Sequence, residues 1–280
     1  MSSLVDPLPP AGNHPRITLN DVSFAYLNAK PVLLNLDLTI YDNEFFVLLG
    51  PSGCGKTTVL NLIAGFERTV SGSLTVGDAQ VTKPGIDRVV VFQGDDSLLG
   101  WRTVEQNVEF GLELAGSGKS ERRERAARAI ETVGLRGHEK KYPRELSGGM
   151  KQRVQIARAL VSDSPVMLMD EPFGALDAMT RTSLQDEISR IWLQDKRTIV
   201  FITHDIAEAV MLGDRIGIMA PAQDGKAISI VENTFPRPRS RGAEEFARNY
   251  GLVEDTLRHI TQSASESAAP TPSTTTANGA

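Results

Sequence analysis

Cysteine and long apolar runs are scarce in this chain. Its 280 residues include one cysteine, Cys54, so no disulfide can form within the chain, and we expect a reducing compartment. No segment approaches the ~18 consecutive apolar residues that a membrane-spanning helix requires. Residues 1–6 also lack the basic and apolar regions of a signal peptide. We therefore expect any membrane attachment to come through a partner protein.

An excess of positive charge is also missing. The chain has 30 Lys and Arg against 35 Asp and Glu, a net charge of −5 at pH 7. That balance offers no broad electrostatic attraction to nucleic acid, so we expect no nucleic-acid partner. The length suits one large α/β domain with a helical subdomain, whereas two independent nucleotide domains do not fit comfortably.

A glycine-rich loop lies between a predicted strand and a predicted helix. The apolar run 45–49 precedes residues 50–58, GPSGCGKTT, and a second apolar run, 59–64, follows them. This G-x-x-x-x-G-K-[ST] spacing lets the backbone wrap an anion, and the helix start directs its free N–H groups at the phosphates of a nucleotide. Lys56 supplies a mobile cation and Thr57 a hydroxyl for Mg²⁺. The alternative is a glycine-rich turn with an incidental lysine.

A second helix start suited to an anion occurs at residues 146–150, LSGGM. Ser147 is placed to cap the helix, and the glycines leave backbone N–H groups uncovered. Apolar residues then recur at helical spacing from Val154 to Leu160. Taken alone, the segment could be an ordinary turn and cap, and two such helix starts need not serve one nucleotide.

Two carboxylates follow a predicted buried strand. Residues 165–169 are apolar, and Asp170 and Glu171 come next. The carboxyl ends of parallel strands are where α/β sheets bind ligands. Asp170 can hold Mg²⁺ through water, and Glu171 can polarise the water that attacks the γ-phosphorus. Another predicted strand, 198–203, ends beside His204, although a lone histidine there is more often a cap or a surface residue.

Together these residues resemble the ATP-binding subunits of ABC transporters, over about residues 16–240. The resemblance implies a P-loop NTPase fold of α/β class, with a RecA-like core, an N-terminal antiparallel β-subdomain and a helical signature subdomain at about 94–160. It implies that Mg-ATP is the substrate and Mg²⁺ the cofactor. Met150 departs from the family pattern, in which glutamine is commoner at this position.

The resemblance also assigns roles to single residues. The implied ATP-binding residues are Tyr26, which stacks on adenine, and Gly50, Pro51, Ser52, Gly53, Cys54, Gly55, Lys56, Thr57 and Thr58. The implied catalytic residues are Glu171, His204, Lys56 and Gln93, and the implied metal ligands are Thr57, Gln93 and Asp170. The implied signature residues, which act on the nucleotide of a second copy, are Leu146, Ser147, Gly148 and Gly149. Asp177 corresponds to the D-loop aspartate.

The resemblance further implies which proteins assemble with this chain. They are a second copy of the chain in an ATP-sandwich dimer, two integral membrane permease subunits and, indirectly, an extracytoplasmic solute-binding protein. The expected location is peripheral, on the cytoplasmic face of the inner membrane. Leu98, Leu99, Trp101 and Val104 are either core of the helical subdomain or part of the surface that contacts the permease.

A finer resemblance concerns the transported solute. Residues 94–108 and 171–181 look like those of nitrate, sulfonate and taurine import ATPases, and residues 84–93 and 110–116 lean toward the taurine members. This predicts uptake of taurine or a related alkanesulfonate, with nitrate or another aliphatic sulfonate as the alternative. Gly100 lies between Leu99 and Trp101, where these importers usually have the sequence Leu-Pro-Trp.

Two functions of other classes also remain open. A soluble ABC ATPase of DNA repair, ribosome function or iron–sulfur assembly shares the motifs, although the chain lacks a basic stripe. A nucleotide-binding regulator would not need the acid at Glu171.

The ends of the chain have a different composition from the predicted domain. We expect residues 1–15 and 261–280 to be disordered tails, because they are rich in small polar residues and have no apolar period. Between them we expect a β-rich part at 16–92, helices at about 104–160, strands at 166–169 and 199–203, and possible edge strands within 214–231. A helical extension is predicted at 241–260.

Overall fold

The computed structural model describes residues 14–94, 97–220 and 228–267. Most of the two predicted tails, residues 1–13 and 268–280, lies outside these ranges. Within them, ten strands form two sheets. The strands are β1 (Pro15–Phe24), β2 (Leu33–Tyr41), β3 (Phe45–Leu49), β4 (Ser71–Val76), β5 (Ala79–Gln80), β6 (Arg88–Val91), β7 (Val166–Asp170), β8 (Thr198–Thr203), β9 (Arg215–Met219) and β10 (Ile228–Glu232).

The smaller sheet is antiparallel and has the strand order β2-β1-β4-β5. Its strands alternate in burial, as Ile17 and Leu19 in β1 are buried and Thr18 between them is less so. Alternation of this kind indicates that one face packs on the core and the other faces away from it. The predicted N-terminal antiparallel β-subdomain is therefore confirmed.

The larger sheet has the order β10-β9-β3-β8-β7-β6 and is parallel except for its edge strand β10. β3, β7, β8 and β9 are buried at every residue, as expected for strands covered on both faces. Two strands begin in the segment 214–231, where possible edge strands were predicted, and only β10 is an edge strand. β9 lies inside the sheet because its apolar residues pair with β3 on one side and β10 on the other.

Seven α-helices accompany the sheets in the described part of the chain. They are α1 (Lys56–Ala64), α2 (Val104–Leu114), α3 (Lys119–Thr132), α4 (Gly148–Leu160), α5 (Ala178–Gln194), α6 (Ile206–Leu212) and α7 (Glu244–Ser267), and a short 3-10 helix spans Pro143–Glu145. α2, α3 and α4 pack on one another, which agrees with the helices predicted at 104–160. None of the helices described here is long and apolar enough to cross a membrane.

The C-terminal helix is longer than the sequence predicted. We expected helix only to residue 260 and disorder from 261, whereas α7 continues to Ser267. Leu257 and Ile260 pack against the core, and the Thr261 hydroxyl donates to the Leu257 carbonyl at 2.8 Å. The helix therefore continues beyond a turn that is packed on the core, through residues whose own composition is a poor helix signal.

Strand β3 separates two hydrophobic clusters. Phe45, Val47 and Leu49 point into a cluster shared with the helical subdomain. Phe46 and Leu48 point into a second cluster shared with the antiparallel sheet. Because successive side chains of a strand point to opposite faces, both cores hold β3 and fix the position at which the chain leaves it at Gly50.

Candidate nucleotide site

The glycine-rich loop joins the end of β3 to the start of α1. Gly55 is the N-cap of α1 with φ 102°, and Gly53 has φ 81°, a region of backbone conformation that favours glycine. At Gly50 space is the constraint, because a Cβ there would lie 2.4 Å from the Met219 carbonyl oxygen. The strand, the loop and the helix start therefore form the arrangement that the spacing predicted.

Lys56 lies across this loop. Its Nζ donates to the carbonyl oxygens of Gly50 at 2.7 Å and Pro51 at 2.8 Å, and the residue is buried. Cys54 is buried beside it, and that burial raises the pKa of the thiol despite the nearby ammonium. The loop thus holds one cation in place and keeps its thiol in the protonated form.

Asp170 ends β7 beside the loop. Burial raises the pKa of this carboxyl, a hydrogen bond from the Thr57 side chain opposes the rise, and the charge of Glu171 adds to it. Among the described residues, the buried Oδ1 of Asp170 has no hydrogen-bond partner. Such an orphaned carboxylate oxygen beside a hydroxyl fits a hard divalent cation, which takes oxygen ligands.

Glu171 follows with an unusual backbone. Its φ is 42°, a left-handed conformation that costs a non-glycine residue energy and that is found at functional sites. The Glu171 N–H donates to the Ile202 carbonyl of β8 at 3.1 Å, which anchors it to the neighbouring strand. A strained but anchored backbone therefore determines the direction of the Glu171 side chain.

Two further polar side chains meet the Glu171 carboxylate. Gln93 Nε2 donates to Glu171 Oε2 at 3.3 Å, and His204 Nδ1 lies 3.2 Å from Glu171 Oε1. Gln93 follows β6, Glu171 follows β7 and His204 follows β8. The carboxyl ends of three parallel strands thus bring these side chains together, as the sequence predicted for Glu171 and His204.

A cavity of about 440 Å³ joins these groups to the loop. Its lining consists of Tyr26, Val32, Ser52, Gly53, Gly55, Lys56, Thr57, Thr58, Gln93, Glu171 and His204. The predicted residues Gly50, Pro51, Cys54 and Asp170 do not line it and instead support the loop or adjoin Thr57. Val32 was not predicted, since an apolar residue in a loop carries no signal in the sequence.

Tyr26 stands at the rim of this cavity. Its hydroxyl lies 3.4 Å from the Thr58 hydroxyl, and its ring packs edge-on against Phe24 with centroids 4.8 Å apart. The side chain is 43% exposed, so part of the ring remains open to a ligand. An exposed aromatic ring next to a phosphate loop is suited to stacking on a nucleobase.

The residues of the predicted signature lie away from this cavity. Ser147 is the N-cap of α4, and its Oγ accepts from the Met150 N–H at 3.3 Å. Ser147 and Gly148 are exposed, Gly149 is half-buried and Leu146 is buried. The structure therefore confirms the capped helix start but does not bring it to the phosphate loop of the same chain.

Asp177 caps a different helix. Its carboxylate accepts from the backbone N–H of Thr180 at 3.0 Å and from the Thr180 hydroxyl at 2.7 Å. The Thr180 backbone N–H and hydroxyl, which donate to the Asp177 carboxylate, lower its pKa. Within one chain, Asp177 is the N-cap of α5 and is not part of the cavity lining.

Sequence reasoning missed Glu208, which is buried behind His204. It follows His204 by four residues, and its carboxylate accepts from the Thr203 hydroxyl at 2.6 Å. A glutamate early in a short helix is common, so the sequence carried no signal for its burial.

A larger cavity, of about 660 Å³, lies elsewhere. Trp192, Arg215 and Arg237 are among its lining residues, and none of the predicted site residues is.

A sheet that carries a phosphate loop, an acidic pair and a histidine at one edge defines a P-loop ATPase. A family model described as ABC transporter matches residues 33–174. The chain belongs to the ABC transporter family, and as an ABC ATPase it binds and hydrolyses ATP.

Several known proteins are similar over most of the chain. An uncharacterised ABC transporter ATP-binding protein of Methanocaldococcus jannaschii is 49% identical over 219 residues, 78% of this chain and 81% of that protein. A taurine import ATP-binding protein of Escherichia coli O157:H7 is 45% identical over 214 residues, 76% and 83% of the two chains. An aliphatic sulfonates import ATP-binding protein of Bacillus cereus is 42% identical over 233 residues, 82% and 91%.

A solved structure agrees with the fold. It is a dimeric ATP-binding cassette in a post-hydrolysis state, bound to ADP and Pi. It matches with a TM-score of 0.69 and 30% identity, covering 77% of this chain and 98% of the other.

Proposed function

We propose that this chain is the ATP-hydrolysing subunit of an importer for taurine or a related alkanesulfonate. The observation that carries the ATPase part is the single cavity lined by Lys56, Gln93, Glu171 and His204. The solute is supported by the 45% identity to a taurine import protein and the 42% identity to an aliphatic sulfonates import protein.

The proposed roles follow from the chemistry of the side chains. The loop N–H groups and Lys56 bind the phosphates of ATP. Glu171 accepts a proton from, or orients, the water that attacks the γ-phosphorus. Gln93 and His204, each within hydrogen-bond distance of one Glu171 oxygen, hold that carboxylate in direction. Tyr26 stacks on the adenine ring.

The residues beside the loop fit a magnesium ion. Thr57, Asp170 and Gln93 would hold it, and the orphaned Oδ1 of Asp170 is the observation that supports this donor set. When bound, Mg²⁺ would neutralise charge on the β- and γ-phosphates.

Two copies of the chain would share each nucleotide. Ser147, Gly148 and Gly149 form a helix start that is suited to an anion, yet they are not part of the cavity lining in their own chain. We infer that they serve the nucleotide of a second copy, and the dimeric solved cassette supports this. ATP would favour the closed dimer because it binds that state more tightly, and loss of the γ-phosphate would release it.

The dimer would act on two integral membrane permease subunits, supplied by an extracytoplasmic solute-binding protein. This arrangement assigns the chain a peripheral location on the cytoplasmic face of the inner membrane. Val104 is core, Leu98 and Leu99 are half-buried, and Trp101 is 75% exposed. Trp101 is therefore the residue of this group that is available to contact a permease.

Growth on single sulfur sources tests the identity of the transported solute. A strain without this subunit should fail to grow on a low concentration of taurine as the sole sulfur source and should grow normally on sulfate. Reintroduction of the chain restores growth on taurine, whereas the Glu171→Gln variant does not. Normal growth of the deletion strain on taurine would refute the taurine assignment.

The same strain tests the second candidate. The 42% identity to the aliphatic sulfonates import protein favours an aliphatic sulfonate other than taurine as the solute. Loss of growth on other alkanesulfonates as the sulfur source, with taurine growth intact, would support that candidate, and loss of growth on nitrate as the nitrogen source would support the nitrate alternative.

A further inference from the structure

A buried carboxylate lies behind the histidine of the candidate site. Glu208 is in the first turn of α6 and is 5% exposed. Its Oε2 accepts from the Thr203 hydroxyl at 2.6 Å, and its Oε1 accepts from Gln185 Nε2 at 3.1 Å. The Thr203 hydroxyl in turn accepts from the Asp205 N–H at 3.0 Å. Glu208 therefore fixes the residues on both sides of His204.

The same carboxylate faces a guanidinium of α5. Arg181 Nε lies 3.9 Å from Glu208 Oε1, which makes an ion pair without a hydrogen bond. That Nε is buried and, in the described parts of the chain, has no hydrogen-bond partner. Arg181 Nη2 donates to the Leu176 carbonyl at 3.2 Å. The side chain of Arg181 thus joins Glu208 to the segment that precedes Asp177.

That segment touches the start of α4. A Cβ added at Gly149 would lie 3.2 Å from the Ala175 carbonyl oxygen and 3.5 Å from Leu176 Cδ2. The backbone at Ala175 and the helix start at Gly149 are therefore in close contact. A movement of the start of α4 toward Ala175 would therefore press on this segment, because there is no room for even a Cβ at normal contact distance between them.

We propose that Glu208 is a positioning residue that couples the start of α4 to His204. The path runs from Gly149 through Leu176 and Arg181 to Glu208 and on to Thr203. This inference rests on the proposed function, in which Gly149 faces the nucleotide of the second copy and His204 faces the nucleotide of its own chain. Under that arrangement the path connects the two ATP sites of a dimer.

The negative charge of Glu208 couples it to α5 through the ion pair with Arg181. The hydrogen bonds from Thr203 and Gln185 each need one oxygen of Glu208, whereas the attraction to Arg181 at 3.9 Å needs the negative charge. Burial raises the pKa of Glu208, and the hydrogen bond from Thr203 opposes that rise, as does the charge of Arg181. Glu208 lies between the Thr203–Asp205 segment and α5, and it is not part of the lining of the candidate nucleotide cavity.

The test is the Glu208→Gln variant of the full chain, assayed for ATP hydrolysis. Glutamine keeps the shape and an oxygen acceptor for Thr203, but it loses the charge that faces Arg181 and the second oxygen, which accepts from Gln185. We expect kcat to fall by about three- to thirtyfold, the range of mutations that disturb coupling between sites, and KM for ATP to stay unchanged. Glu44→Gln is the matched control. Glu44 is equally buried and lies 3.3 Å from Arg215, at the opposite end of β3 from the loop, so kcat should not change.

A double-mutant cycle separates positioning from a structural role. Arg181→Gln should lower kcat to a similar degree, and the double variant should be no slower than either single variant, because both remove one interaction. Thr203→Val, which removes only the hydroxyl, provides a second route if Glu208→Gln does not fold. Wild-type kcat in Glu208→Gln, or in Thr203→Val where that variant replaces it, would overturn the inference. The inference would also be overturned if the fold-losses in kcat of the two single variants multiplied in the double variant. The same holds if the loss of kcat followed the fall in melting temperature across all variants, including Glu44→Gln.

Failure of this inference is distinguishable from failure of the proposed function. If the wild-type chain hydrolyses ATP and Glu171→Gln does not, the proposed hydrolytic site stands whatever Glu208→Gln does. If Glu171→Gln hydrolyses ATP normally, the proposed hydrolytic site fails first.

Discussion

Glu171 combines a strained backbone with a side chain held from two sides. The left-handed conformation at φ 42° costs energy that the hydrogen bond from the Glu171 N–H to Ile202 helps to offset. Gln93 and His204 approach different oxygens of the carboxylate. A carboxylate that is fixed in this way suits the orientation of a water molecule better than the binding of a phosphate, which it would repel.

Glu171→Gln tests this role directly. The substitution removes the charge and keeps the shape, so turnover should fall by about 10² or more, the usual loss for a general base. ATP affinity should change little, and an ATP-bound dimer should become easier to isolate. The measurement is steady-state hydrolysis beside nucleotide binding and size-exclusion chromatography. Near-normal hydrolysis by this variant would be incompatible with the assigned role.

The pH dependence of stability tests the effect of burial on the pKa of a single carboxyl, that of Glu44. Burial raises its pKa from 4.5 to about 7, the neighbouring Arg215 and the Tyr41 N–H oppose the rise, and Asp214 adds to it. A carboxyl whose folded pKa is raised binds its proton more tightly in the folded state, so stability is greatest where it is protonated. Stability then falls as pH rises from 4.5 to about 7.

Urea unfolding across that range should detect the loss. We expect the wild-type free energy of unfolding to drop by about 1 to 3 kcal/mol from this group. Glu44→Gln cannot titrate, so its curve should be flatter over the same range. Parallel curves for the two proteins would contradict the raised pKa.

Helix α7 is the element whose length depends most on tertiary contacts. Val253 is 1% exposed, and the neighbouring Leu252 is 52% exposed. Val253→Ala should lower the free energy of unfolding by about 1 to 3 kcal/mol, because it removes buried methyl groups and leaves a cavity. Leu252→Ala on the same helix is the control and should cost about 0.5 kcal/mol or less. Equal losses in the two variants would mean that α7 is not packed as described.

Elements defined by local patterns were predictable from the sequence. The loop at residues 50–58 and the strand that ends at Asp170 each combine a fixed spacing with an adjacent apolar run, and both are where the sequence predicted them. Residues 261–267 were not predictable as helix, because their composition carries no helical pattern and they continue a helix whose preceding turn packs on the core at Leu257 and Ile260. The interior position of β9 likewise depends on pairing with β3 and β10.

The same distinction applies within the site. Lys56, Asp170 and Glu171 belong to motifs that the sequence displays. Glu208 does not, because its importance comes from Arg181, 27 residues earlier, and from its burial. Interactions between residues far apart in the sequence could not be predicted from local pattern.

At the scale of the whole molecule, the two helix starts face different places. α1 begins at the cavity, whereas α4 begins at exposed residues that are not part of the cavity lining. In the proposed function, one chain would supply half of each of two sites, and a face-to-face pair would complete both. Coupling of ATP binding to movement of a permease would then depend on this composite arrangement.

The most direct measurement of the composite site uses mixed dimers. One copy carries Lys56→Ala and the other Ser147→Arg, and neither homodimer should trap ATP. If Ser147 acts across the interface, the mixed dimer holds one doubly damaged site and one intact site, because the intact loop of the second copy faces the intact Ser147 of the first. Helix-start donors act only within about one turn of the charge they face, so only the intact site can clamp ATP. A composite site predicts one trapped nucleotide per purified mixed dimer. Mixed dimers that trap no more ATP than either parent would contradict it.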